Sequence, residues 1–302
     1  MNIRIGIITI QNSAYHPNRR LLEAARKFGY QGFLIHPYRL WPISAAGRLE
    51  VTGAHLSSLP HVVLPRQGAQ IGDACLALIQ QFQLMGVPLV NDHGAVSIAR
   101  NKFLTQQALT AAGLPCPDTV FINDESGFFH GVDQLGGYPV VAKQTSGRQG
   151  DGVLRIMDAN DARQRALPAL DRRRGLMVQR YLPVDKRRDL RVLVIDGEVV
   201  CAASLIPSSG EFRANFHLGS DIETAALTRE LEPIAVGAAT VVGCDVAGVD
   251  IIVDKDDRPF IVEVNYAPGF KGLEAATGLD IAGRIIHFAA DRHRQNRERR
   301  NG

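Results

Sequence analysis

The sequence predicts a mixed α/β chain in which an N-terminal parallel-sheet unit precedes two lobes built on antiparallel sheets. Strand and helix patterns alternate over the first ninety residues, the signature of parallel strands covered on both faces. Farther on, the Asp196-Gly197 turn between two apolar runs and the strand pair near residues 246–265 both read as antiparallel hairpins. With 302 residues the chain can bury roughly three quarters of its unfolded surface and divides into two or three units. The expected boundaries are 1–92, 93–290 with an internal division after 178, and a basic tail at 291–302.

Composition excludes more than it selects. Hydrophobic residues make up 45% and charged residues 22%, ordinary for a globular chain, and a net charge of +3 demands no nucleic-acid partner. The basic groups concentrate in Arg172–Arg174, Lys186–Arg188 and the run from Arg292 to Arg300, where solvated loops and a frayed helix end are the expected role. Cys75, Cys116, Cys201 and Cys244 are widely spaced, without a Cys-x-x-Cys pair, so neither a zinc site nor a disulfide framework is indicated and a reducing cytoplasm is expected. Met1–Ile10 is apolar for too short a distance to span a bilayer and lacks a signal-peptide cleavage region.

That opening segment reads as a first buried strand. Leu21, Leu22, Ala25 and Phe28 give residues 17–30 helical spacing, Gly29 breaks it, and residues 32–36 resume a strand. Residues 61–65 read as a strand, 73–85 as a helix and 87–90 as a further strand. The helix beginning at Asn101 and Lys102 is ended by Gly113 and Pro115.

In the second unit, Tyr138–Lys143 is a compact strand that runs into a loop carrying Gly147, Gly150 and Gly152. Glycine amides can approach phosphate oxygens closely, and a lysine at the strand end adds positive charge to the same polyanion. The order differs from the Gly-x4-Gly-Lys-Ser/Thr loop, because the lysine precedes the glycines, and Gly-x-Gly-x-x-Gly is not matched either. Met177–Leu182 reads as a strand or linker, and Asp189–Ile195 and Glu198–Ala203 as the arms of a hairpin. In the block from Gly210 to His217, Arg213 and Asn215 share a face if extended, and the arginine fork suits phosphate or carboxylate.

The strongest chemical signal is the pair Val246–Val253 and Pro259–Asn265. With the turn centred between Asp256 and Asp257, a constant index sum sets Phe260 opposite Val253, Glu263 opposite Asp250 and Asn265 opposite Gly248. Alternation then puts Val249, Ile251, Val253, Phe260, Val262 and Val264 on an apolar core face and three oxygen ligands on the other. Mg²⁺ takes such hard oxygens at roughly 2.1 Å and shares its shell with water and phosphate. Gly248 leaves room beside Asn265; a plain hairpin with a solvated acidic edge is the competing reading.

Taken together these blocks resemble the ATP-grasp enzymes, and within them the RimK-type α-L-glutamate ligases, over the full length of the chain. The resemblance rests on the order and spacing of Val62–Ala69, Asn101-Lys102, Pro139–Lys143, Gly147–Val153, Val178–Leu182, Asp189–Arg191, Gly210–His217, Ala247–Asp250 and Glu263–Glu274. It implies a pre-ATP-grasp domain over 1–92 and an ATP-grasp domain over 93–290, with a small lid lobe (93–178) and a metal-binding lobe (179–290). It further implies that Lys143 contacts ATP phosphate, that Gln179, Arg180 and Tyr181 line the adenine-side hinge, and that Asp189 sits near the ribose. Arg213, Ala214 and Asn215 would face the phosphates, with Lys102 a further nucleotide candidate, and Arg213 and Lys143 would be the catalytic cations. Asp250, Glu263 and Asn265 match the family's Mg²⁺ or Mn²⁺ ligands.

The implied reaction is ATP-dependent joining of a carboxylate to an amine. A carboxylate is a poor acyl donor, so phosphorylation by ATP makes an acyl phosphate that an amine can attack, inside a cleft that excludes water. The glycine loop 147–152 is the expected lid over that cleft, ordered by nucleotide. The substrates implied are ATP, an amino acid, and a carboxylate on a peptide, protein tail or small molecule, in an enzyme whose relatives are often dimers or tetramers. Where RimK-type enzymes carry basic residues, Ser204–Pro207 and Leu218 stand here, so an acidic amino acid loses expected partners. Arg66 and Arg191 are candidates for holding a carboxylate, or else structural ion pairs. Two rival classes are an ATP-binding pseudoenzyme or regulatory module without turnover, and a nucleic-acid binder; the oxygen-bearing ligand positions oppose the first, and the lack of a recognition helix or aromatic-interleaved basic sheet opposes the second.

Overall fold

The computed structural model describes residues 3–53, 56, 58–68, 71–145, 152–206 and 221–301. The chain begins with β1 (Arg4–Ile8), α1 (His16–Lys27) and β2 (Gln31–Ile35), then a hairpin of β3 (Trp41–Ala45) and β4 (Arg48–Thr52), then β5 (Val62–Pro65). β1 lies between β2 and β5, parallel to both. Pro17 starts α1 where its missing N–H costs nothing, and Leu21, Ala24 and Ala25 turn the buried face inward. The strand expected over 87–90 shrinks to a single bridge between Leu89 and Val63, and the β3–β4 hairpin was not expected at all.

α2 (Asp73–Leu84), α3 (His93–Ala99) and α4 (Lys102–Ala111) follow. Asn101 caps α4, its Oδ1 accepting from the N–H groups of Phe103 at 3.0 Å and Leu104 at 3.2 Å, which fixes Lys102 in the first turn. Next come β6 (Thr119–Ile122), α5 (Glu125–Gln134), β7 (Val140–Lys143), β8 (Val153–Ile156), the short α6 (Ala159–Asp161) and β9 (Leu176–Arg180). These strands form an antiparallel sheet in the order β6-β9-β7-β8. It has its own core of Ile122, Phe128, Val132, Val140, Ile156 and Val178.

The remaining strands, β10 (Arg188–Ile195), β11 (Glu198–Ile206), β12 (Asp221–Thr224), β13 (Val246–Val253) and β14 (Pro259–Asn265), form a second antiparallel sheet in the order β12-β11-β10-β13-β14. α7 (Leu231–Val242), α8 (Lys271–Thr277) and α9 (Ile281–Asn301) complete the chain. This sheet shares its cores with the N-terminal sheet: Val63, Leu78 and Phe82 belong with Val192, Val249 and Val264, and Ile5, Leu21 and Leu64 with Leu193 and Ile285. Buried Asn91 ties the two together, donating to the Val246 and Tyr266 carbonyls at 2.8 Å each while its own carbonyl accepts from Val246 N–H.

Two expectations need correction. The β13–β14 register carries a bulge beside Asp250: Gly248–Asn265 and Asp250–Glu263 pair as expected, but Ile251 pairs with Ile261, Ile252 with Phe260 and Val253 with Pro259. The extra residue flips the alternation, so Ile261 is fully buried in the core while Val262 is only partly buried and Phe260 faces the guanidinium of Arg180. The basic tail is not a frayed end. α9 continues to Asn301, with Arg292 paired to Asp245, Arg294 donating to the Tyr30 hydroxyl at 2.8 Å, and the His293 ring stacked on His61 at 5.0 Å. Among the described residues no helix is long and apolar enough to cross a membrane.

Candidate functional site

Three neighbouring strands set the site. Arg191 on β10 lies opposite Asp250 on β13, and Asp250 lies opposite Glu263 on β14, so the three side chains stand in one row across the sheet. Arg191 grips Asp250 through a two-pronged contact, Nε to Oδ1 at 2.8 Å and Nη2 to Oδ2 at 2.6 Å. The neighbouring Asp250 carboxylate raises the pKa of that guanidinium above its ordinary value. Lys102, held by the α4 cap, donates to Glu263 Oε1 at 2.8 Å. Burial alone would push the Glu263 carboxyl up; Lys102, Arg191 and Lys143 outweigh it and hold the group below its usual range.

Lys143 closes the site from the other sheet. It ends β7, and its Nζ donates to Gln179 Oε1 at 2.6 Å, while Gln179 Nε2 donates to Thr119 Oγ1 at 2.8 Å. Burial, reinforced by Lys102, brings the Lys143 ammonium down to about 8, against the pull of Glu263. The Lys102 N–H also donates to the Thr145 carbonyl at 2.9 Å, so α4 is fastened to the strand end just past Lys143. Lys102, Lys143 and Arg191 set three positive charges against the two of Asp250 and Glu263, a surplus of one that suits a polyanion.

Asn265 sits opposite Gly248, and its Oδ1 accepts the Ala267 N–H at 2.9 Å, which shapes the following loop. A side chain at Gly248 would meet Pro268 Cβ at 2.8 Å, so glycine there lets that loop lie down on β13. The donor chemistry fits a hard divalent cation. Each oxygen of Asp250 keeps a second lone pair beside the Arg191 contact, Glu263 Oε2 is not part of the Lys102 hydrogen bond, and Asn265 Oδ1 accepts once of a possible twice. Lys102 stands as counter-charge to Glu263.

Other expected residues are placed less centrally. Asp189 is held on both oxygens by Arg187, at 2.8 and 2.9 Å, a partner that sequence reasoning missed because Arg187 lies in the turn just before β10 and not on the strand itself. Arg180 pairs with Asp118 at 3.2 Å, and the Tyr181 hydroxyl accepts from Arg155 at 3.3 Å. Gly152 adopts φ +74° and its carbonyl accepts from the Gln144 N–H. Gly147, Gly150, Arg213, Ala214 and Asn215 lie outside the described residues, as does Leu218.

A parallel sheet sharing cores with an antiparallel one, beside an antiparallel lobe with its own core and a lysine at the end of a central strand, defines the ATP-grasp class of ATP-dependent carbon–nitrogen ligases. Residues 3–96 match the RimK PreATP-grasp domain and residues 99–289 the RimK-like ATP-grasp domain. The chain belongs to the RimK-like ATP-grasp family and is an ATP-dependent carboxylate–amine ligase. It is 34% identical over 303 residues to a probable alpha-L-glutamate ligase of Thioalkalivibrio sulfidiphilus, covering 99% of each chain. A probable alpha-L-glutamate ligase of Enterobacter sp. (strain 638) is 35% identical over 299 residues, covering 96% of each. Among solved structures, a RimK domain ATP-grasp protein from Sphaerobacter thermophilus superposes with a TM-score of 0.75 at 20% identity, over 95% of this chain and 99% of that one. A D-alanine–D-alanine ligase from Bacillus anthracis complexed with ATP gives 0.71 at 18% identity, over 98% and 99%. At such identities the structural likeness is one of fold.

Proposed function

We propose that the chain joins an amino acid, with L-glutamate the first candidate, to a carboxylate on a peptide, protein or small molecule through an acyl phosphate. The observation that carries this reading is the row Arg191–Asp250–Glu263 with Lys102 and Lys143 gathered over it. The names of the 34–35% identical relatives support glutamate, while Ser204 and Leu205 on β11, where basic residues were expected, favour a less acidic amino acid as the second candidate.

In this reading Lys143 binds and orients the terminal phosphates, and Lys102 is a second cation for the same group. Gln179 and Arg180 end β9 and Tyr181 follows it, on the connection towards β10, which supports assigning them to the adenine, with Asp189 on β10 assigned to the ribose. Asp250, Glu263 and Asn265 would hold Mg²⁺ or Mn²⁺, which when bound adds positive charge where the phosphoryl group migrates. Gly147, Gly150 and Gly152 belong to the lid, and Arg213, Ala214 and Asn215 to the phosphate side. The separate core of the β6-β9-β7-β8 sheet supports a lobe that closes over the metal-binding lobe, but one that begins near β6, because Ala95, Val96 and Leu109 of α3 and α4 pack in the core of the β12-β11-β10-β13-β14 sheet.

The test is to incubate the protein with ATP, Mg²⁺ and an amino-acid panel, with and without carboxylate-bearing peptides, following phosphate release and product mass. Phosphate release coupled to a mass gain of one amino-acid residue is expected. Nucleotide binding without ADP formation for any combination would give the regulatory-module reading instead.

A further inference from the structure

Arg66 directly follows β5, at the carboxyl end of the parallel sheet, where open α/β sheets offer their ligand crevice. Its Nη2 donates to the Pro268 carbonyl at 2.5 Å, and its guanidinium carbon stands 5.8 Å from the Phe270 ring centroid. Among the described residues, neighbouring arginines are taken: Arg191 by Asp250, Arg187 by Asp189, Arg180 by Asp118 and Arg20 by Glu274. Arg66 has no carboxylate within ion-pair distance among the described residues, and the groups that act on it electrostatically are the phenols of Tyr15 and Tyr266. Burial brings its pKa down to about 10, as for a cation stripped of water without counter-charge. A guanidinium carries five N–H donors, and the hydrogen bond to Pro268 uses one.

The surroundings are built and leave room. The Tyr266 hydroxyl donates to the Gly68 carbonyl at 2.6 Å, so this contact and the Arg66 contact staple the 66–68 loop to the 266–269 loop. Within that staple, Gly68 at φ +78° and Gly269 both have no atom of the described residues within 4 Å of where a side chain would begin. The second loop leaves Asn265 directly, so a group at Arg66 lies one short loop from the row of oxygen ligands.

We propose that Arg66 is a specificity-determining residue that receives the unreacted carboxylate of the amine-bearing amino acid. The assignment rests on the ligase reading above. Of the two carboxylates in such a reaction, the one to be phosphorylated needs a free oxygen lone pair facing Lys143, and a guanidinium fork would blunt it. The carboxylate beside the attacking amine keeps its charge throughout, so a permanent fork at Arg66 holds it equally in every state and fixes where the amine points.

The experiment compares L-glutamate with its 1-amide, and L-alanine with L-alaninamide, as amine substrates in the phosphate-release and product-mass assay, for the native protein, Arg66→Met and Arg66→Lys. The native protein is expected to prefer the free acids, Arg66→Met to raise their KM roughly 10- to 100-fold and erase the preference for acid over amide, and Arg66→Lys to restore part of it. KM for ATP stays within about twofold in both variants. Equal use of acid and amide by the native protein overturns the assignment without any variant, and so does an Arg66→Met protein that loses kcat evenly on acid and amide, the mark of a merely structural staple. Failure of every amine and acid to support ligation contradicts the ligase reading itself, and this assignment with it.

Discussion

Lys102 and Glu263 stand 161 positions apart in sequence and meet at 2.8 Å, joining the first turn of α4 to the middle of β14. The contact sets a cation beside the carboxylate that we assign to a metal, and the Lys102 N–H bond to the Thr145 carbonyl links the same turn of α4 to the chain just past β7. Both ends are held by local chemistry, the Asn101 cap on one side and the strand pairing with Asp250 on the other.

The Arg191–Asp250 pair predicts a stability effect separable from catalysis. The two side chains are 19% and 18% exposed, so removing one partner strands the other in a poorly solvated place. Asp250→Asn is expected to cost about 3 kcal/mol, read as a lower denaturant midpoint at unchanged slope. Adding Arg191→Met to that variant recovers part of the loss, because the uncompensated cation is gone, while turnover stays absent. A double variant destabilised by the full sum of the Asp250→Asn and Arg191→Met losses would show that the pair is not coupled.

Lys143 predicts a pH dependence. Its ammonium titrates near 8 in the folded protein against 10.5 as a free side chain, so between those values the folded state holds fewer protons than the unfolded one, and stability rises as the burial cost is relieved. Phosphate binding has the opposite dependence, since it needs the ammonium. ATP affinity is expected to weaken as pH rises through about 8, and Lys143→Met to bind more weakly at neutral pH with that dependence flattened. Calorimetric titration from pH 7 to 9.5 checks both, and an unchanged slope in the variant would remove Lys143 from the phosphate site.

α9 predicts that the basic C-terminus is structural. Ending the chain at Asp291 deletes the Arg292–Asp245 pair, the Arg294–Tyr30 hydrogen bond and the His293–His61 stack together. A loss of about 1–3 kcal/mol is expected in thermal unfolding, with ligase turnover retained at low temperature. An unshifted Tm would return the tail to the role of a solvated end.

Much of the site was legible because strand pairing is arithmetic: a turn placed at Asp256-Asp257 is enough to set Glu263 against Asp250 and Asn265 against Gly248. The bulge was not legible, since the extra residue in β14 is chosen by packing and puts Ile261, in place of Val262, in the core shared with the N-terminal sheet. The Lys102–Glu263 contact depends on how α4 docks, which no local pattern encodes. The β3–β4 hairpin escaped for a different reason: its turn uses Ala46 at φ +49° with Gly47, not the Asn-Gly or Asp-Gly that advertises such a turn, and its strands bury little. Charge runs were ambiguous in principle, because Arg292 and Arg294 look the same in sequence whether solvated or docked.

The most direct test of the oxygen-ligand row is Glu263→Gln, which removes charge at nearly constant volume from the position facing Asp250 and Lys102. ATP- and Mg²⁺-dependent phosphate release should fall at least about 100-fold while cooperative unfolding and far-ultraviolet circular dichroism stay those of a folded protein. Turnover equal to that of the native protein would contradict the account and leave the row Asp250, Glu263 and Asn265 without a part in catalysis.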